Sequence, residues 1–162
     1  MWTARRILKE LADPDRRRAI LASFFKHADL QHKMIVQMQL AKSLHFREES
    51  IRKMPPEKKA DLLASRIGVP EFDQYLEMAL MTYHTTQKSE MLGAFLDRWG
   101  VPHENGSIES DDYKVPSADD VRAATRELSQ FDPADVKLYL ATAGLLMADD
   151  WRDSTWAVVE EL

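Results

Sequence analysis

The side chains best suited to chemistry fall between Pro102 and Pro116, where His103, Glu104, Asn105, Glu109, Asp111 and Asp112 lie close in sequence. Carboxylate and amide oxygens are hard ligands that suit calcium or magnesium. An imidazole beside carboxylates suits a transition metal, and His84 is the histidine that could join His103. His103, Glu104, Asp111 and Asp112 are therefore the candidate metal ligands. Their spacing is not that of an EF-hand. With Gly106 placed on the glycine that motif requires, the first ligand position falls on Val101, which has no oxygen to offer. A solvated, turn-rich loop accounts for the same residues more simply, and His103 could instead cap the carbonyls of the helix before it.

A second group is Arg16, Arg17 and Arg18, just after Asp13-Pro14. Asp followed by Pro is a helix start, with Asp as the N-cap and Pro at the first helical position. Three arginines then occupy the end of a helix where the macrodipole favours acids, and Asp13 and Asp15 offset this only in part. The cluster is a candidate anion site for phosphate or carboxylate. Ion pairs within the fold, or plain solvation, are the simpler account. With Arg5, Arg6, Lys9, Lys26 and Lys33 these arginines form a basic N-terminal third, which makes a nucleic-acid binder an alternative. Against it, no helix-turn-helix signature is present, aromatic residues do not alternate with the basic ones, and the net charge of the chain is −5.

Other chemistries lack their residues. Cysteine is absent, which removes thiolate metal sites, disulfides and a cysteine nucleophile. There is no Gly-x-Ser-x-Gly elbow, His-Glu-x-x-His pair, Walker loop or Gly-x-Gly-x-x-Gly fingerprint. His27 and His32 are five apart, about 140° around a helix, and poorly placed to share a metal. The residues add up to no catalytic signature, and no cofactor is expected.

Helices must carry these groups. Met91, Leu92, Phe95, Leu96 and Trp99 share one face, Gly100 offers a left-handed stop, and Val101-Pro102 cannot continue the helix. The polar loop runs from there to about residue 116, with a turn at Asn105-Gly106 and a short extended piece at Tyr113 to Val115. Met1 to Leu11 reads as a short helix. Ile20, Leu21, Phe24, Phe25 and Ala28 line one side of the helix that begins at Pro14. Asp29 caps the next, whose Leu30, Met34, Met38 and Ala41 share a face. Met34, Met38 and Met54 suggest an adaptable surface, although a methionine stripe at helical spacing is more often core. Pro56 opens a helix through Ile67, which Gly68-Val69-Pro70 stops. Phe72, Tyr75, Leu76, Ala79, Leu80 and Tyr83 give the best amphipathic match, widened by Met78 and Met81. Tyr83 to Thr86 reads as a turn, or a kink, before the Ser89 helix. Ser117 with Asp120 resembles a capping box, and Asp132-Pro133 repeats the Asp-Pro start. Leu138 to Met147 is uncharged all round, as in a central helix or a subunit interface. Asp149 to Leu162 docks as a short terminal helix.

Strand-like alternation is absent. The expectation is an all-α fold, a compact bundle or array of seven to eight helices in a single domain over residues 1–162, with one long polar loop at about 100–116. Hydrophobic residues at 44% and charged ones at 30% are ordinary for a soluble globular chain. The uncharged run Leu138 to Ala148 is too short for a bilayer, and no signal-peptide pattern opens the chain. Residues 1–60 carry a charge of +7 and residues 61–162 carry −12.

The segments Phe95-Leu-Asp-Arg-Trp-Gly-Val-Pro-His-Glu-Asn-Gly106, Ala28-Asp-Leu-Gln-His32 and Ile51-Arg-Lys-Met-Pro55 resemble an uncharacterised family of bacterial helical proteins. The resemblance extends over most of the chain. It implies a bacterial, cytoplasmic origin and carries no activity, cofactor or site residue across. The leading functional expectation is a helical interaction or scaffold module that meets a protein partner or a second copy of itself through an apolar, methionine-containing helix face, away from any membrane. The anion or nucleic-acid binder follows, and a metal-dependent enzyme built on the acidic loop is third.

Overall fold

Helix starts in this chain are set by short polar side chains that satisfy the open N–H groups of a first turn. Asp13 accepts from the Arg16 N–H at 2.7 Å and Asp29 from the His32 N–H at 2.9 Å. Ser117 accepts from the Asp120 N–H at 3.2 Å, and Asp120 accepts in return from the Ser117 N–H at 2.9 Å, a full capping box. Asp132 accepts from the Ala134 N–H at 2.8 Å. The four starts read from the sequence are thus made in the computed structural model, which describes residues 1–147 and 149–162.

Ten α-helical segments follow among the described residues: α1 Ala4–Arg6, α2 Pro14–His27, α3 Leu30–Leu44, α4 Glu48–Arg52, α5 Pro56–Ala64, α6 Asp73–Gln87, α7 Ser89–Asp97, α8 Ala118–Glu127, α9 Pro133–Leu146 and α10 Asp149–Glu161. That exceeds the seven to eight expected. The excess comes from α4, five residues long and too short for a 3.6-residue period to show, and from α6 and α7 being two helices and not one kinked one. A π-helical turn, Ile7–Leu11, continues α1, and a 3₁₀ turn, Pro70–Phe72, leads into α6. Among the described residues the chain is mostly helical, with one small hairpin. Strands β1 His103–Glu104 and β2 Ser107–Ile108 pair antiparallel within what the sequence presents as loop. Two-residue strands have no alternation to read. No extended strand forms at Tyr113 to Val115. None of the described helices is long and apolar enough to cross a membrane.

The chain divides into two compact units. One comprises Asp13–Tyr83, the other Met1–Ala12 with His84–Leu162, so the division falls within α6.

In the Asp13–Tyr83 unit, α2 packs along α5 and α4 folds back on α3. Ile20, Leu21, Phe24 and Phe25 of α2 are buried, as are Phe72, Tyr75, Leu76, Ala79, Leu80 and Tyr83 of the α6 stripe. Phe24 meets Phe25 and Tyr75 edge-on, with ring centroids 5.2 and 6.1 Å apart. Such contacts add about 0.5–1.5 kcal/mol each beyond burial. Met81 does not widen the stripe, because it is exposed. His45 ends α3 in the left-handed conformation, and the Phe46 N–H reaches back to the Ala41 carbonyl at 2.9 Å. This is the closing pattern usually given to glycine.

In the other unit, α9 is buried nearly all round from Leu138 to Gly144 and packs against α10 and the Ile7–Leu11 turn. The last residue of the uncharged run, Ala148, lies outside the described residues. Gly144 permits the approach of α10: a Cβ there would stand 2.3 Å from Trp156 Nε1 and 2.5 Å from Thr155 Oγ1. The helix α6 runs through Thr86 to Gln87, so the break expected at Tyr83 to Thr86 comes at Lys88 instead. His84 is buried there against Tyr139, which gives those polar residues a reason to stay helical. Lys88 donates to Asp135 at 2.7 Å in a largely buried ion pair.

Candidate functional site

The acidic loop is held from four directions. Asn105 and Gly106 have φ of 50° and 87°, the two positive values of the tight turn that closes a two-residue hairpin. Gly106 presses on α7, where a Cβ would meet Leu92 Cβ at 2.6 Å. His103 bridges the hairpin to the end of α7. Its Nε2 lies 2.7 Å from Asp97 Oδ1, and its Nδ1 accepts the Gly106 N–H at 3.2 Å. An accepting Nδ1 leaves Nε2 as the protonated nitrogen, donating to the carboxylate. Tyr113 brings in the far end, its hydroxyl accepting from Trp151 Nε1 at 3.1 Å. Trp151 belongs to an aromatic group with Phe95 and Trp99. Gly100 closes the preceding helix with φ of 64°, as its position requires, and the Val101 N–H returns to the Leu96 carbonyl.

This arrangement engages His103 with Asp97 and the hairpin backbone, not with the helix carbonyls. Glu104, Asp111 and Asp112 are exposed. His84 faces Tyr139, ring centroids 5.7 Å apart. Among the described residues no three or more His, Asp or Glu side chains form a group that could hold a metal ion.

Two of the three arginines at the start of α2, Arg16 and Arg18, meet acids of their own unit. Arg16 Nη1 lies 2.8 Å from Asp13 Oδ2. Arg18 Nη2 lies 2.8 Å from Asp61 Oδ2 on α5, and further along Lys26 pairs with Glu57 at the same distance. The last two pairs join α2 to α5. An arriving phosphate would compete with carboxylates already in place for Arg16 and Arg18.

Helix α3 is different. Its inner side consists of Val36, Leu40 and Ala41 with the amide of Gln37. Its outer side carries Leu30, Met34 and Met38, which are 70%, 46% and 51% exposed. These three lie at successive steps of four, about 6 Å apart along the axis. Ala41 thus belongs to the buried side, and the remainder of the expected stripe faces solvent. Lys42, one further step of four, lines a cleft of about 390 Å³ with Gln39, Ser43, Val69, Glu71 and Phe72. Gln39 Oε1 is buried and accepts no hydrogen bond. Beside Met38, Gln37 accepts from Lys59 Nζ at 2.6 Å. Burial first, and then the nearby Lys33 charge, push the Lys59 pKa down.

The sequence carries two signals for this face. One is that α3 has more apolar positions than one buried side can use, with Val36 and Leu40 on one side and Leu30, Met34 and Met38 on the other. The second is that Leu30 to Leu44 contains no acid. The approach of Lys59 from α5 has no local sequence signal, because it depends on tertiary packing.

No protein-family model matches the chain, and neither a curated protein nor a solved structure matches it.

Proposed function

We propose that this protein is a helical interaction module that presents the Leu30–Met34–Met38 face of α3 to another protein chain. One observation carries the reading. Three large apolar side chains stand in register on the exposed part of a helix whose Val36, Gln37, Leu40 and Ala41 are in the core. Scattered exposed apolar residues are ordinary, but an aligned set is the mark of an interaction site. Two of the three are methionines, whose flexible thioethers adapt to varied surfaces. The bacterial, cytoplasmic setting implied by the resemblance belongs to the same proposal. Arg16 and Arg18 already hold carboxylates, so the anion-binding reading gains nothing from the geometry.

The test is site-specific photo-crosslinking in the host cell. A crosslinking residue placed at Met38 is expected to give a discrete adduct that disappears when Met34→Ser is added. The same residue at Met81, an equally exposed methionine outside the stripe, is expected to give none. Identical patterns from the two positions would refute the proposal.

A further inference from the structure

The charge around the α3 face narrows what covers it. From Leu30 to Leu44 the helix holds Lys33 and Lys42 and no acid. Asp29, at its N-cap, is engaged by the His32 backbone and ring. Lys59 joins from α5, with its Nζ on Gln37 beside Met38. Among the described residues none of Lys33, Lys42 and Lys59 has an acid in salt-bridge contact. Along α2, by contrast, Arg16, Arg18 and Lys26 are compensated by Asp13, Asp61 and Glu57. Lys33 also stands in the first turns of its helix, where the macrodipole disfavours a cation. An anionic group from outside would relieve this.

The apolar part sets the shape of the occupant. Side chains at successive steps of four match the stripe of an amphipathic helix laid along α3. The distance from Leu30 to Lys42 is about 18 Å at 1.5 Å per residue, the length of roughly 12 residues of helix. At the Lys42 end the cleft provides room for a terminal side chain.

We infer that the α3 face takes an acidic amphipathic helix of a partner protein, its apolar stripe on Leu30, Met34 and Met38 and its carboxylates on Lys33, Lys59 and Lys42. This rests on the interaction-module reading and adds the chemistry of the partner. Charge complementarity favours such a segment over a neutral or basic one and contributes mainly to its selection.

Fluorescence anisotropy with three labelled 16-residue designed peptides tests this on the full chain. Two share a leucine stripe at helical spacing, one flanked by glutamates and one by lysines; the third is a scramble of the glutamate peptide. The glutamate helix is expected to bind at least tenfold more tightly than either of the others. The double variant Met34→Ser/Met38→Ser should weaken it at least tenfold with an unchanged melting temperature. Lys33→Glu with Lys42→Glu should reverse the preference toward the lysine peptide. Equal binding of the glutamate and lysine helices overturns the inference, and so does failure of both. In either case a Met38 crosslink in cells would leave the module reading standing. Sedimentation of the chain alone provides the remaining arm. A dimer abolished by the double serine variant would identify the occupant as a second copy, which overturns the acidic partner but not the module. Absence of peptide binding, dimer and crosslink together would remove both.

Discussion

Gly144 shows how one atom fixes the contact of two helices. Glycine inside a helix ordinarily costs about 0.5–1 kcal/mol relative to alanine, so Gly144→Ala would be expected to stabilise α9 taken alone. Here the added Cβ would collide with Trp156 and Thr155. We expect the substitution to destabilise the protein by about 1–3 kcal/mol, the usual range for overpacking, read as a lower melting temperature. A rise would mean that α9 and α10 do not approach so closely. Tyr139 gives the opposite case. Its hydroxyl is buried without a hydrogen-bond partner, and burial pushes its pKa well up. Removing an unsatisfied buried hydroxyl costs nothing in bonding, so Tyr139→Phe should leave the melting temperature unchanged or raise it. A drop would show that the hydroxyl has a partner. Neither effect is legible in the sequence. Gly144 and Tyr139 are both ordinary members of an uncharged helical run until their neighbours from α10 and α6 are known.

At the scale of elements, local chemistry was legible and pairing was not. The starts at Asp13, Asp29, Ser117 and Asp132 are visible because a cap acts within three residues of itself. Ser117→Ala should therefore destabilise α8 by about 1 kcal/mol, measured by denaturant unfolding, and an unchanged midpoint would deny the cap its role. The stop at Gly100 is visible for the same reason. The hairpin at His103 to Ile108 is half visible. Asn105-Gly106 marks its turn, but its two-residue strands offer no pattern, and the contacts of Gly106 with Leu92 and of Tyr113 with Trp151 come from elsewhere in the chain. The acidic loop is thus drawn into the fold by its non-acidic residues. Helix α3 is the instructive element, because its apolar positions fall on two sides and only one can meet the core. Surface substitutions away from such features usually stay within ±0.5 kcal/mol. Met34→Ser/Met38→Ser is accordingly expected to change partner binding without measurable change in thermal stability. A large loss of stability would place those methionines in the core.

For the whole molecule, the legible part was the class: mostly helical, with the apolar stripes of α2, α6 and α7 and the uncharged run of α9 buried. The division within α6 was not legible, since a continuous helix carries no mark of which unit each turn serves. Charge also distributes by tertiary pairing, as Arg18 with Asp61 and Lys26 with Glu57 show. The carboxyls of Asp13, Asp29 and Asp120 are held below their usual range chiefly by backbone N–H groups, and those of Glu57 and Glu161 by Lys26 and Arg122. Their folded pKa values lie under the unfolded ones, so their contribution is complete above the unfolded range and is lost as pH falls through the folded values. The melting temperature should be steady from neutral pH down to about 5 and fall below about pH 4, where carboxylates begin to protonate. A decline that began between pH 7 and 6 would assign the dependence to histidine instead.

Methionine oxidation footprinting tests the central claim most directly. Met34, Met38 and Met81 are 46%, 51% and 50% exposed, so the purified chain should oxidise at all three to similar extents. In the host cell the account predicts that Met34 and Met38 are protected while Met81 oxidises as before. Equal oxidation of all three in the cell would mean that nothing covers the α3 face, and would contradict the assignment of this protein as an interaction module.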